Sequence, residues 1–345
     1  MLAALGATGF AGCSGFLGGG SDPEPADYRY DPSVLAETEN KFFGTVDYAG
    51  LYEAREYLPE STRESFEEGG DSPVAPEEIE TMTGVGGAQV SVGESTSSSV
   101  FGSLAILGSF GADAVATDLE DDGAEQLGEY EGFTLYENAE ESSPGDIGDD
   151  ETTAVAAVRD GVVVFGAAGR EGEATASVTS REAAETMIDA GNGEVDRLEP
   201  NNERAAQLGD RFGDATMMLG GQIDPALVER ATSEAQQGMA TQFVTGFRAG
   251  GVGMTVDGET TTMTAIFLYT DAGAAEDSGV TELVELTSDR FVEENPGLDS
   301  LDAEYDGNAA VVTLEGETEA VFEEGSSVGP GSGLPAADLT GRPRF

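Results

Sequence analysis

The sequence predicts an α+β fold: mostly antiparallel sheets built from hairpins, with helices packed on one face. Three observations point there. Asp160-Gly161 and Asp257-Gly258 each join two apolar or β-branched runs, a strong local signal for a hairpin. Segments of helical period follow these hairpins rather than single strands. The repeated strand–helix–strand spacing of a parallel sheet is missing, so a bilobal solute-binding fold is not expected, although the length would allow it.

The elements follow in order. Residues 1–30 read as an apolar leader and a flexible tether, with Pro23 and Pro25 inside a Gly-rich, polar run. Leu51, Ala54 and Leu58 recur at helical spacing and predict a helix over 46–58, closed by Pro59. A second short helix is expected from Pro76. Gly84-Val85-Gly86-Gly87 precedes a strand instead of following one and opening a helix, so it reads as a turn and not a dinucleotide loop. Strands are expected over 88–93 and 100–110. A helix then opens, breaks at the acidic turn Asp121-Asp122-Gly123 and continues briefly before a strand over 132–137. An acidic, Pro/Gly-bearing loop leads to the hairpin at Asp160-Gly161, whose near-continuous apolar arms predict a central place in a covered sheet.

Thr179 with Glu182 three residues on forms a capping box for a helix ended by Gly191. A short helix over 199–212 and a strand over 215–221 come next. Asp224-Pro225 supplies an N-cap and a proline at the first helical position. The long hairpin over 243–271 turns at Asp257-Gly258, and a helix over 276–294 stops before Pro296. A strand over 308–316 and a helical turn end the body. The tail from Gly325 is rich in Gly, Pro and Ser and is expected to be disordered.

Two stretches share an order of parts. Each has a hairpin, a helix, and a strand entered through an acidic tetrad: Glu129-Tyr130-Glu131-Gly132 in one, Glu304-Tyr305-Asp306-Gly307 in the other. This predicts two related hairpin-helix-strand units, over 31–200 and 201–324, followed by the tail over 325–345. Tyr130 and Tyr305 would then occupy equivalent places at a strand entrance, as packing residues.

Composition narrows function. The net charge is −53, from 68 acids against 15 bases, and Lys41 is the only lysine. So much like charge opposes compaction at ordinary ionic strength, yet 39% hydrophobic residues and clear strand patterns argue against a disordered acidic chain. Near-molar salt, where the Debye length is about 3 Å, reconciles the two. Nucleic acid and anionic headgroups are excluded as partners for want of a basic patch. The chain has no histidine and one cysteine. It therefore cannot build a Ser-His-Asp site or a His/Cys-ligated zinc centre, and it forms no internal disulfide. Lys41, in the stretch Glu37–Phe43 near the tether, reads as a surface residue.

Cys13 ends the run Phe10-Ala11-Gly12-Cys13 behind a small-residue apolar stretch and ahead of a glycine spacer. That is the setting of a lipobox, with Phe10 where leucine is usual. No base precedes Cys13, so a charged leader region is expected upstream of Met1. With this sequence and an acid-rich, lysine-poor body, the chain resembles haloarchaeal extracytoplasmic lipoproteins of uncharacterised function. The resemblance implies a signal-peptide-bearing protein held on the outer face of the cell membrane by a lipid on Cys13, and no activity.

Carboxylates, hydroxyls and arginines are the remaining catalytic groups. Without tryptophan, and with aromatics at 7%, sugar-binding platforms for a two-carboxylate glycosidase are scarce. Asp118, Glu120, Asp122, Gly123 and Glu129 match EF-hand spacing at positions one, three, five, six and twelve, which makes calcium the candidate cofactor. Glu at position three and Glu125 at the usually aliphatic position eight depart from it. Two functional expectations follow: a non-catalytic binding or structural protein of the cell surface, or a calcium-dependent module or carboxylate-based hydrolase.

Overall fold

The computed structural model describes residues 23–67, 73–92, 96–138, 151–171, 178–234 and 239–322. Cys13, most of the acidic loop before residue 151, and the tail over 325–345 lie outside them. The described residues form a mixed helix-and-strand fold around one large antiparallel sheet. Its strands are β1 (Asn40–Asp47), β2 (Ile79–Val92), β3 (Thr96–Gly108), β4 (Ala124–Tyr130), β5 (Phe133–Asn138) and β6 (Glu151–Arg159). The others are β7 (Val162–Glu171), β8 (Met217–Gln222), β9 (Phe247–Asp257), β10 (Thr260–Tyr269), β11 (Leu298–Asp306) and β12 (Ala309–Glu317). They lie in the order β11-β12-β10-β9-β8-β1-β2-β3-β7-β6-β5-β4. The sheet runs unbroken across residue 200, because β1 of the first unit pairs with β8 of the second from Lys41↔Gln222 to Val46↔Met217.

The helices are α1 (Tyr48–Glu53), α2 (Glu60–Glu67), α3 (Ala112–Asp121), α4 (Ser180–Asn192), α5 (Leu198–Asn201) and α6 (Glu203–Phe212). After them come α7 (Pro225–Glu234), α8 (Met239–Val244), α9 (Ala272–Asp277) and α10 (Val280–Glu294). They cover both faces, which corrects the expectation of one. On the first face, Val155, Ala157 and Val164 pack with Ala183, Ala184, Met187 and Ile188 of α4, and Leu208 and Phe212 of α6 extend that core. On the second face, the alternate residues Ala156, Val158 and Val163 pack with Val115 and Leu119 of α3. Strand side chains alternate between faces, so arms apolar at both parities need a cover on both sides. The Asp160-Gly161 hairpin has that environment, between β3 and β5.

Several expectations shift for identifiable reasons. Pro76–Glu78 makes a single 3-10 turn before β2, and Gly84 to Gly87 lie inside that strand. Those glycines are needed there because side chains lie across the backbone: a Cβ on Gly86 would sit 2.3 Å from the Phe42 ring, and one on Gly87 2.8 Å from Phe101. Residues 124–130 form β4 rather than continuing the helix, and β1 and β11 are strands that the sequence pattern does not predict. The capping box of α4 is made as expected, with Glu182 N donating to Thr179 Oγ1 at 3.1 Å and Thr179 N to Glu182 Oε2 at 2.8 Å. The helix ends at Gly193, whose φ is +76°. Gly191 is instead a seat for Tyr28, whose ring a Cβ would meet at 2.6 Å.

The tether expectation is shortened too. Pro25–Tyr28 is a 3-10 turn, and Tyr28 and Tyr30 are fully buried beneath the first face, with Tyr30 and Ser103 hydroxyls 3.2 Å apart.

The acidic tetrads both close hairpins, but not in the same register. Tyr130 pairs with Phe133 across a two-residue turn, whereas in the second hairpin the equivalent pair is Asp306 with Ala309. A one-residue slip moves a side chain to the other face. Tyr130 accordingly packs on the first face and donates to Asp189 Oδ1 of α4 at 2.8 Å. Tyr305 packs on the second face and donates to Glu282 Oε2 of α10 at 2.9 Å. The two tyrosines are therefore packing residues without being equivalent. Glu131 has φ +47° at the first central place of its turn, next to Gly132 at +82°, a pairing that favours Asn-Gly. Glu131→Asn is expected to stabilise the protein by about 1 kcal/mol in thermal or denaturant unfolding; an unchanged or lowered stability would contradict the strain assigned to this turn.

Candidate functional site

The calcium candidates do not form a loop around a point. Asp118 and Glu120 are in α3, Asp122 is its C-cap, and Glu129 is in β4. Helical geometry sends Glu120 away from the side that Asp118 and Asp122 share. Among the described residues no group of three or more acids could hold a metal ion.

Two other places carry more structure. The first is an ionic layer on the first face, where the N-terminal segment crosses the sheet. Arg29 is 6% exposed at its side chain; its guanidinium meets Glu199 Oε1 at 2.7 Å and donates to Thr45 Oγ1 at 3.1 Å, over the Phe43 ring. Burial lowers the Arg29 pKa, with Glu199 acting the other way. Burial likewise raises Glu199 above the usual glutamate value, and Arg29 offsets this only in part. Lys41 is not a surface residue: it is largely buried and donates to Asp31 Oδ1 at 2.6 Å. Burial works to raise the Asp31 carboxyl, but hydrogen bonds from Lys41 and from the Ser33 backbone outweigh it and hold the pKa low. Arg197 pairs with Asp27 beside them.

A shallow depression opens next to this layer, lined in part by Lys41, Asn202, Arg204 and Gln222. Asn202 is held by its neighbours. Asn202 Nδ2 donates to Gln222 Oε1 at 3.2 Å, and Asn202 Oδ1 caps α6 through Arg204 N and Ala205 N, each at 3.1 Å. The layer is a clasp that holds residues 23–41 to the sheet, with no enclosed space for a ligand.

The second place is the centre of the second face. Registers put Phe42, Gly86, Gly102 and Ala167 on one cross-strand row, and Leu219, Gly44, Gly84 and Leu104 on the next. Phe42 and Leu219 lie down over the glycines: a Cβ on Gly44 would be 3.3 Å from Leu219 Cδ1. No helix among the described residues covers them. Phe42 is 39% exposed and Leu219 55%, and Val90 and Val100 of β2 and β3 are exposed on the same side. The strip lies between two covered cores. One is built with α3 and includes Leu104 and Phe165 at its margin. The other includes Met217 and Val252, with Phe291 of α10. It spans roughly 15 by 15 to 20 Å, from strand spacing and rise. Sequence reading missed it because its core element, β1, was not recognised. The alternation Phe42, Gly44, Val46 was the signal available.

No family model matches the chain, and no curated protein matches it. Among solved structures it is similar to three crystal forms of TP0453. Form III has 11% identity and a TM-score of 0.45, covering 90% of this chain and 99% of that one. Form IV has 11% identity and a TM-score of 0.43, covering 87% and 98%. Form I has 12% identity and a TM-score of 0.42, covering 86% and 98%. No helix among the described residues is long and apolar enough to cross a membrane.

Proposed function

We propose that this chain is a cell-surface lipoprotein of a halophile, tethered through a lipid on Cys13, with a non-catalytic binding role exercised by the open strip on the second face. The observation that carries the binding role is that strip. In a sheet covered by helices on both faces, the exposed apolar side chains Phe42, Val90, Val100 and Leu219 share one central place on the second face, and exposed apolar surface of this kind marks interaction sites. The tether rests on Phe10-Ala11-Gly12-Cys13 and the glycines behind it.

The reading includes two related units meeting at the strip. β1, α1–α2, β2, β3, α3, β4 and β5 run in the same order as β8, α7–α8, β9, β10, α9–α10, β11 and β12, with the β6–β7 hairpin extra in the first. Phe42-x-Gly44-x-Val46-Asp47 corresponds to Leu219-x-Gly221-x-Ile223-Asp224. Both aspartates cap the helix that follows: Asp47 accepts from Gly50 N at 3.0 Å, and Asp224 from Ala226 N at 2.8 Å. Since β1 and β8 are adjacent, Phe42 and Leu219 occupy corresponding places on either side of the junction.

Cys13→Ser is expected to move most of the protein from the membrane fraction to the soluble fraction of cells; retention on membranes would overturn the tether. Crosslinking at the native cell surface should recover partners with the wild type that the Phe42→Ser/Leu219→Ser variant loses. Identical recoveries would overturn the strip as the binding surface.

A further inference from the structure

We infer that the partner seated on the strip is a single cationic, amphipathic segment: a peptide stretch with an apolar side and flanking Lys or Arg. This rests on the reading of the strip as a binding surface. Size and charge select the occupant. The strip measures on the order of 300 Å² by strand spacing and rise, well short of the roughly 800 Å² per partner that a stable protein interface uses. A second copy of this chain would have to hold with too little area while bringing another net charge of −53. One extended segment or a few turns of helix fits the span between the two covered margins.

The surface chemistry divides the work. The rows through Phe42 and Leu219 consist of apolar side chains and glycines, with no charged side chain among the paired residues. The glycines keep the floor low, so incoming side chains can settle beside Phe42 and Leu219. Contact on the strip is thus apolar and survives in salt, where hydrophobic burial is not screened. Whatever flanks the seated segment faces a protein with 68 acids and 15 bases. At a Debye length of about 3 Å only carboxylates in direct contact act on those flanks. A basic flank is held by contact ion pairs at the strip's edge and an acidic flank finds few bases to pair with, which sets selectivity rather than most of the affinity.

The test uses the full chain in near-molar potassium chloride and three labelled peptides: alternating Leu/Lys, alternating Leu/Glu, and a Lys/Ser peptide of equal charge. The Leu/Lys peptide is expected to bind at least tenfold tighter than either other peptide, and to lose at least tenfold on Phe42→Ser/Leu219→Ser. Leu286→Ser, which removes the 83% exposed leucine of α10, should leave binding unchanged. Circular dichroism confirms that each variant is folded. Equal binding of Leu/Lys and Leu/Glu peptides, both lost in the double variant, overturns the cationic partner while the strip stands. Binding indifferent to the double variant overturns the strip itself. Equal binding of Lys/Ser and Leu/Lys reduces the interaction to bulk charge and overturns both. A dimer by light scattering that the double variant abolishes would make the occupant a second copy.

Discussion

On dilution from molar potassium chloride to about 0.1 M, the protein is expected to lose most of its native circular dichroism and its cooperative thermal transition. The cause is the net charge of −53. The Debye length grows from about 3 Å to about 10 Å over that dilution. Carboxylates that were nearly independent then repel one another across the surface, and the compact state bears the cost. Few ion pairs among the described residues offset this. Those on helix surfaces, such as Arg181–Glu185 and Arg290–Glu294, are exposed pairs that contribute little even unscreened. Restoring salt after brief dilution should restore the spectrum. Full retention of native structure at 0.1 M would sink the halophilic reading of the composition.

Glu199→Ala is expected to lower stability by about 3 kcal/mol, because it strands the Arg29 charge. Arg29 lies almost wholly inside, and its Nε has no hydrogen-bond partner among the described residues. Without Glu199, the guanidinium keeps the Thr45 hydroxyl and the Phe43 ring. The loss should also free the N-terminal segment, since Arg29 O accepts from Leu198 N at 2.8 Å at the start of the same helix. Denaturant unfolding in molar salt measures the change, and limited proteolysis near residue 29 reports the release. A loss under 1 kcal/mol would mean that the clasp does not hold this segment.

What was legible in the sequence was what neighbouring residues decide. The Asp160-Gly161 hairpin, the Thr179–Glu182 capping box and the Asp224-Pro225 helix start formed where read, and the hairpin read at Asp257-Gly258 turns one residue further on, at Gly258-Glu259, because turn and cap chemistry is local. Glycine was misread where its purpose is tertiary. Gly84–Gly87 resemble a turn until Phe42 and Phe101 are seen lying across them, and Gly191 resembles a helix stop until Tyr28 fills its place. β1 was hidden because Lys41 looked like a surface residue. Only the fold brings Asp31 to it, ten residues away in sequence, and makes its burial tolerable.

By itself, then, the sequence determined an antiparallel α+β protein with a strongly acidic composition, no histidine chemistry and a single cysteine. Charge, composition and turn chemistry add up residue by residue and need no partner in space. The tertiary structure alone decided that helices cover both faces, that residues 23–41 are clasped to the sheet, and that β1 and β8 meet to leave an open apolar strip. Those outcomes depend on which strands become neighbours and in which register. A register that moves by one residue turns every side chain to the opposite face, as Tyr130 and Tyr305 show.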